Sequence, residues 1–294
     1  MIQPRYPVYI PSKGRFETCH TAKCLDEYGT PFRIVVEKPE EKEYVARFGR
    51  KRVIRLPFQN RGLISTRNWI KEHATRSGAK RHWQLDDNIT EFFRAYKLKR
   101  LNITPSIALR ATEDFVDRYT NVAIAGLNYD FFYRPTDNAI PPFYLNQHVY
   151  SCSLILNSLP HRWRSALNDD TDICLQVLAD GWCTVLMNAF LCGKCQTMAV
   201  KGGNTQIYQG DGRLRMARAL ERLWPGVAET KRIFKRPQHR IKHQWQHFDT
   251  PLIRKPNVKI PTTPNEYGLT LVAVRPIQSK SLRRFAKEHA VCQK

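Results

Sequence analysis

Short apolar segments alternate with helix-like stretches in the first 60 residues, and this alternation is the feature that most restricts the fold. The apolar segments are Pro7–Ile10, Phe32–Val36 and Arg52–Leu56. Between them, the patterns of Thr18–Tyr28 and Pro39–Phe48 predict helices. Strands that alternate with helices form mostly parallel sheets with helices on their faces. Ligands of such sheets bind beyond the carboxyl ends of the strands. The polar residues that follow each strand are therefore the candidate site residues.

The rhythm of short strands and helices continues to about residue 190, and the composition then changes. The predicted elements are a helix over Gly62–Ala74, strands over Arg81–Leu85, Asn121–Leu127, Val149–Leu156 and Thr184–Met187, and a helix over Asp169–Ala179. From residue 226 the chain is basic: residues 231–260 hold nine Lys and Arg, three His and one acid, Asp249. We therefore predict an α/β domain over residues 1–225 and a basic C-terminal extension over residues 226–294.

The net charge indicates the class of partner. The 294-residue chain has 48 Lys and Arg against 26 Asp and Glu, a formal charge of +22. Such a charge favours nucleic acid, an anionic membrane surface or an acidic polymer. No apolar run approaches the roughly 20 residues of a membrane helix, and no signal-peptide pattern is present at the N-terminus. We therefore expect a cytoplasmic protein without a membrane partner, whose eight cysteines are free thiols.

Two acidic clusters carry the most specific chemistry. Asp86-Asp87-Asn88 directly follows a predicted buried strand, where hard oxygen ligands can hold Mn²⁺ or Mg²⁺ beside a phosphorylated ligand. The alternative is a turn, which Asp and Asn also favour. The second cluster, Asn168–Asp172, begins a predicted helix. One of its acids is a candidate general base, and the alternative is N-capping, which needs a single acid.

Glycines beside cations recur at predicted loops. Glycine lets the backbone approach a phosphate, and Lys or Arg supplies charge, although the same pattern also occurs in ordinary turns. The candidate ligand-binding positions of this kind are Ser12, Lys13, Gly14 and Arg15, then Arg61 and Arg67, and finally Lys201, Gly202 and Gly203.

Taken in order, these motifs resemble the TET-associated glycosyltransferases of bacteriophages, a group with a GT-A, Rossmann-like fold. The motifs that carry the resemblance are Tyr9–Arg15, Arg67–Ile70, Leu85–Asn88, Cys152–Leu156, Asp170–Leu175, Asp180–Trp182 and Lys201–Asn204. The resemblance implies sugar transfer from a UDP-sugar to 5-hydroxymethylcytosine in phage DNA. It assigns Ser12, Lys13 and Arg15 to the nucleotide.

The same resemblance assigns the two acidic clusters. Asp86, Asp87 and Asn88 would form the DXD-like metal motif, with Asp86 also at the donor. Asp170 is the first choice for the catalytic base and Asp172 the second. The sequence departs from the motif at Asn88, which stands where the last acid usually touches the metal.

Three other functions compete with this interpretation. The acceptor could be a protein or glycan, the chain could be an inactive DNA-binding relative, or the acids could serve a nuclease or nucleotidyltransferase. In the basic segment from Lys231 to Lys259, Trp245 and Phe248 are candidates for stacking on bases or for packing in a core. The identity of the sugar and the stereochemistry of transfer stay open.

Overall fold

The computed structural model describes residues 2–96, 99–133, 140–195, 210–233, 236–242, 248–258 and 263–264. Within these ranges the chain forms twelve β-strands and six α-helices. The strands are β1 (Val8–Pro11), β2 (Arg33–Val36), β3 (Val53–Arg55), β4 (Arg81–Leu85), β5 (Ile89–Tyr96), β6 (Lys99–Asn102), β7 (Val122–Tyr129), β8 (Phe143–Leu145), β9 (Cys152–Leu156), β10 (Cys183–Lys194), β11 (Ala228–Ile233) and β12 (Arg236–Ile241). The helices are α1 (His20–Glu27), α2 (Glu41–Phe48), α3 (Gly62–Arg76), α4 (Pro105–Val116), α5 (Asp169–Ala179) and α6 (Gly212–Leu223).

The first four strands form the parallel unit that the sequence predicts. They lie in the order β3-β2-β1-β4, and each pair of neighbours is parallel. A helix connects each strand to the next along the chain, as parallel pairing requires. Gly49, at φ +86°, ends α2 and turns the chain toward β3. This unit sets the ends of β1, β2 and β4 side by side at one edge of the sheet.

The second half of the main sheet is mixed, so the whole molecule is an α/β protein. β9 runs antiparallel between β4 and β7, and β10 then pairs parallel with β7. β5 and β8 pair antiparallel with β10, and β6 closes the edge beyond β5. A close approach of β7 to β9 requires Gly126, because a β-carbon there would lie 2.3 Å from the Cys152 carbonyl oxygen.

Apolar side chains from both faces of the sheet make up the core. On one face, α1 and α4 cover residues such as Ile10, Trp83 and Leu127. Trp83 buries its whole side chain and donates from Nε1 to Glu113 Oε1 at 2.8 Å, so the polar atom of its ring is satisfied. The seven cysteines of the described ranges are free thiols.

The described part of residues 226–294 packs against the rest of the molecule. β11 and β12 form a hairpin that shares an apolar cluster with α5 and α6 through Leu175, Leu220 and Ile241. The segment that follows returns to the main sheet, where Asn146 Nδ2 donates to the Phe248 carbonyl oxygen at 2.8 Å. Phe248 is partly buried against two apolar clusters, and Trp245 lies outside the described residues.

Candidate active site

A cavity of about 370 Å³ opens at the carboxyl ends of β1 and β4. Its lining comes from the residues after these strands and from the first turns of α3 and α5. Side chains from more distant parts of the chain complete the wall: Tyr129, His148, Ser151, Lys194, Met216 and His239. The position agrees with the strand-end rule for α/β sheets, so this cavity is the candidate active site.

The loop after β1 forms one wall of the cavity. Ser12 Oγ donates to Asp87 Oδ2 at 2.7 Å, and Arg15 forms an ion pair with the same carboxylate. Lys13 is half exposed and pairs with Glu37 at 3.1 Å. Gly14 adopts φ +67° but does not line the cavity, and its backbone N–H donates to Glu40 Oε2 at 2.7 Å. Ser12, Lys13 and Arg15 therefore face the cavity, and their assignment to the nucleotide stays a prediction.

The predicted metal residues also line the cavity, but basic and hydroxyl groups already contact their carboxylates. Asp86 Oδ1 lies 3.1 Å from Arg67 Nη2, while Oδ2 accepts from Ser151 at 2.7 Å and from Lys194 at 3.2 Å. Both oxygens of Asp87 have partners in the β1 loop.

The fit of these residues to a divalent cation is poor in this arrangement. Asn88 Oδ1 is buried and accepts no hydrogen bond, so it could bind a cation. It would, however, provide only one neutral ligand. Among the described residues, no group of three or more His, Cys, Asp and Glu is arranged to hold a metal ion. The carboxylates of Asp86 and Asp87 instead form ion pairs with basic side chains.

Arg67 lies at the centre of the site and joins both acidic clusters. Its side chain is 9% exposed, and Nε lies 2.7 Å from Asp169 Oδ2. The N–H does not point at that oxygen, so the contact is an ion pair without a hydrogen bond. The other end of the guanidinium contacts Asp86 and Gln84. Burial lowers the pKa of Arg67, but Asp169, Asp86 and Asp170 together raise it by more. The guanidinium therefore holds two partly buried carboxylates together as a fixed charge.

The first turn of α5 divides its acids between different roles. Asp170 faces the cavity, where its Oδ2 lies 3.3 Å from His148 Nε2 and its Oδ1 accepts from the Thr171 N–H. Burial raises the pKa of Asp170. His148 and the Thr171 amide lower it by more than burial raises it, so the pKa lies well below its usual range. The pKa of Asp169 is raised, first by burial and then by Asp170 and Asp86. Asp170 is therefore an ionised carboxylate, whereas its neighbour Asp169 takes up a proton at a higher pH.

Asp172, the second choice for the base, does not line the cavity. It is fully buried, where it accepts from Arg164 at 2.9 Å, from Trp224 Nε1 at 2.7 Å and from Gln176 at 2.9 Å. These contacts tie α5 to α6, so the position of Asp172 is that of a structural carboxylate.

The remaining predicted site residues lie elsewhere. Arg61 is exposed, stacks its guanidinium on Phe58 at 5.4 Å and does not line the cavity. Lys201, Gly202 and Gly203 lie outside the described residues.

An aromatic cluster extends from the cavity to the surface. Tyr129, which lines the cavity, stacks on Phe131 with ring centroids 5.0 Å apart, and Phe131 contacts Phe132 at 4.5 Å. Phe131 is 49% exposed and Phe132 is 58% exposed. Tyr150 packs on Tyr129 at 4.4 Å, and His148 packs on Tyr150 at 5.0 Å. The rim of the cavity therefore carries an exposed apolar surface beside the Asp170–His148 pair.

Comparison with known proteins identifies the family. A model of the TET-Associated Glycosyltransferase family matches residues 6–203, which is more than half of the chain. The chain belongs to this family. It is therefore a glycosyltransferase, and the family implies a nucleotide-sugar donor.

Other comparisons are more distant. The crystal structure of mannose-1-phosphate geranyltransferase from Thermus thermophilus is similar over 77% of this chain, with 14% identity and a TM-score of 0.30. This chain spans 65% of that protein. No curated protein matches the chain. None of the helices in the described ranges has the length and apolar character needed to cross a membrane.

Several residues that line the cavity of this glycosyltransferase were not predicted from the sequence. Lys194, His148 and Ser151 reach the cavity through strand pairing that brings distant segments together, and no local motif marks them. His239 comes from β12, beyond the family match. Burial and, to a smaller extent, His148 lower its pKa to about 4 against the opposing effect of Asp170. His239 therefore lines the cavity as a neutral imidazole at neutral pH.

Proposed function

We propose that this glycosyltransferase moves a sugar from a UDP-sugar to the hydroxymethyl group of 5-hydroxymethylcytosine in phage DNA. One observation carries the proposal. A single cavity holds an ionised carboxylate, Asp170, beside a wall that contains Arg15, Arg67 and Lys194. Such a site has a proton acceptor for an alcohol and fixed cations for a diphosphate leaving group.

The donor end of the cavity is the wall formed by the β1 loop. Ser12, Lys13 and Arg15 line it, and Arg67 and Lys194 lie at its inner end. The buried cations are held in place by carboxylates, so they need no reorganisation when a diphosphate binds. This arrangement supports a nucleoside-diphosphate sugar, and UDP is the nucleotide that the family resemblance implies.

The acceptor end is the part of the cavity near Asp170 and the aromatic rim. The family is associated with TET enzymes, and a TET-like oxygenase would make the hydroxymethyl group. A formal charge of +22 favours a polyanionic acceptor such as DNA. A base in duplex DNA has to leave the stack to enter a cavity, and exposed aromatic side chains favour such an unstacked base. Phe131 and Phe132 supply those side chains.

The reaction follows from this placement. Asp170 accepts the proton of the hydroxymethyl group as its oxygen forms a bond to the anomeric carbon of the sugar. The bond from that carbon to the β-phosphate oxygen breaks, and its electron pair leaves with UDP. His148, paired with Asp170, orients the carboxylate. The dependence on Mn²⁺ or Mg²⁺ predicted from Asp86, Asp87 and Asn88 stays a prediction, and no step above requires it.

Mass spectrometry of nucleosides tests the proposal directly. The protein is incubated with hydroxymethylcytosine DNA and a panel of UDP-sugars, each with Mn²⁺ or with EDTA. A hexose or N-acetylhexosamine mass gain on hydroxymethylcytidine is the expected result. UDP release without a change in the DNA would instead indicate a protein or glycan acceptor. DNA binding with neither transfer nor UDP release would indicate an inactive relative.

Two substitutions distinguish the candidates for the base. Asp170→Asn should lower the transfer rate by about 10²–10⁴-fold while leaving the fold intact, because it removes the proton acceptor. Asp172→Asn should mainly lower the free energy of unfolding, since Asp172 holds Arg164 and Trp224. Asp180→Asn, on an exposed carboxylate, is the control. A larger rate loss in Asp172→Asn than in Asp170→Asn, with both proteins folded, would contradict the assignment.

A further inference from the structure

Lys194 is a buried cation in the wall of the cavity. It is the last residue of β10, where the pairing with β5 shifts register between Gly193 and Lys194. Such irregularities re-aim side chains and are frequent beside active sites. The Lys194 side chain is 16% exposed, and its Nζ lies 3.2 Å from Asp86 Oδ2, so the ammonium is paired with an opposite charge.

Three oxygen atoms hold the Lys194 ammonium in position. Nζ donates to Ser151 Oγ at 2.8 Å, to the Tyr129 hydroxyl at 3.0 Å and to Asp86 Oδ2 at 3.2 Å. All four of these residues line the cavity. A buried ammonium is costly unless it is paired and hydrogen-bonded, and here both conditions are met. The ammonium is therefore a permanent charge of the site.

The same ammonium occupies the position where the sequence predicts a divalent cation. Asp86 is the first acid of the predicted metal motif, and its two oxygens contact Arg67 on one side and Lys194 on the other. The second acid, Asp87, is held by Ser12 and Arg15. A divalent cation bound to Asp86 would lie beside two like charges. Its ligands would also have to give up their present partners.

We infer that Lys194 is the cation that stabilises the diphosphate of the donor in this enzyme, in place of Mn²⁺ or Mg²⁺. This inference rests on the proposed UDP-sugar donor. As the bond between the anomeric carbon and the β-phosphate oxygen breaks, negative charge grows on that oxygen. Lys194 exchanges its hydrogen bond to Asp86, the longest of its three at 3.2 Å, for one to that oxygen and keeps its proton. Arg67 and Ser151 still hold Asp86, and Arg15 holds Asp87, so the Lys194 charge can move to the ligand.

Calorimetric titration of the full chain with UDP tests the inference without any variant. The dissociation constant for UDP should agree within about twofold between buffer with EDTA and buffer with Mn²⁺, because no divalent cation is needed. Binding that is at least about tenfold tighter with Mn²⁺ would overturn the inference while leaving the UDP donor intact. UDP that fails to bind in both buffers would overturn the inference and the UDP donor together.

Substitutions at Lys194 provide the second test. Lys194→Met should weaken UDP binding in EDTA by at least about tenfold, whereas Lys194→Arg should retain most of the affinity because it keeps the charge. Lys99→Met, on the exposed strand β6, is the matched control and should bind UDP as the original chain does. Far-ultraviolet circular dichroism checks folding, and the double variant Lys194→Met with Asp86→Asn also removes the carboxylate charge that Lys194 balances. Unchanged UDP affinity in folded Lys194→Met, or in the folded double variant, would overturn the inference.

Discussion

The contact of Arg67 with two carboxylates predicts that replacing this arginine makes stability depend on pH. Arg67→Met keeps an unbranched side chain of similar length and removes the guanidinium. Asp86 still pairs with Lys194 in this variant, but Asp169 loses its ion-pair partner. Breaking a buried ion pair by removing one partner costs about 3–5 kcal/mol. Since Asp86 keeps a partner, we expect the lower end of this range, a loss of about 3 kcal/mol in the free energy of unfolding at about pH 8.

The sign of the pH dependence follows from the pKa of Asp169. Burial raises this pKa and Arg67 lowers it, so removing Arg67 raises it further. An acid whose pKa is higher in the folded protein than in the unfolded chain destabilises the fold above that pKa. The destabilisation disappears as the pH falls and the carboxyl group becomes neutral in both states. The loss caused by Arg67→Met should therefore shrink between about pH 8 and about pH 5.

Urea denaturation at the two pH values measures these losses. The double variant Arg67→Met with Asp169→Asn should recover about 1–2 kcal/mol at about pH 8, because it removes the unpaired charge. Arg162→Met is the control, since Arg162 pairs with Glu72 on the surface and such pairs contribute about 0–1 kcal/mol. A loss below about 1 kcal/mol in Arg67→Met, or a loss independent of pH, would refute the reasoning.

Three further predictions follow from packing and exposure. Gly126→Ala should lower the free energy of unfolding by about 1–3 kcal/mol or more in urea denaturation, because the new methyl group would lie 2.3 Å from a backbone oxygen of β9. Phe131→Ala with Phe132→Ala should weaken binding of single-stranded DNA by about 1–3 kcal/mol per stacked base in fluorescence anisotropy, with UDP binding unchanged. A chain truncated after Pro225 should lose stability in thermal unfolding, because the amides of Asn121 and Asn146 lose the carbonyl partners that the later segment supplies.

Each of these predictions has an outcome that would contradict it. A Gly126→Ala protein as stable as the original chain would mean that β7 and β9 separate at little cost. Equal DNA affinity after both phenylalanine changes would remove the aromatic rim from the acceptor site. A truncated chain with an unchanged melting temperature would show that residues 226–294 form an independent extension.

Local pattern was enough to predict the elements that position the site. The strand over Arg81–Leu85 and the helix over Asp169–Ala179 have the predicted bounds, because the strand runs directly into Asp86–Asn88 and the helical stripe stops just before Gly181. The predicted strand over Thr184–Met187 continues to Lys194 in the structure. Asn188 lies within the extension, and its side chain is satisfied by Asn128 and by a loop carbonyl, which a single segment does not reveal.

Other elements were missed because their signals are mixed. β5 is amphipathic but interrupted by Thr90, Glu91 and Arg94, and it is held in the sheet by β10 rather than by a strong strand pattern. Within the site, the strand-end rule places the β1 loop and Asp86 at one edge. Lys194 and His148 reach that edge only because β10 and β9 pair across the sheet, and such long-range pairing has no signature in the neighbouring residues.

The hairpin of β11 and β12 has a consequence for how the cavity of this protein can be altered. Its His239 forms part of the cavity wall, yet the hairpin follows the region that defines the family at residues 6–203. A change of side chain at His239 would therefore alter the cavity wall without altering the main sheet. A different hairpin at this place would change the shape of the cavity while the β1 loop, Asp86 and Asp170 keep their positions. The shape of the cavity can thus be varied separately from the residues that the main sheet positions.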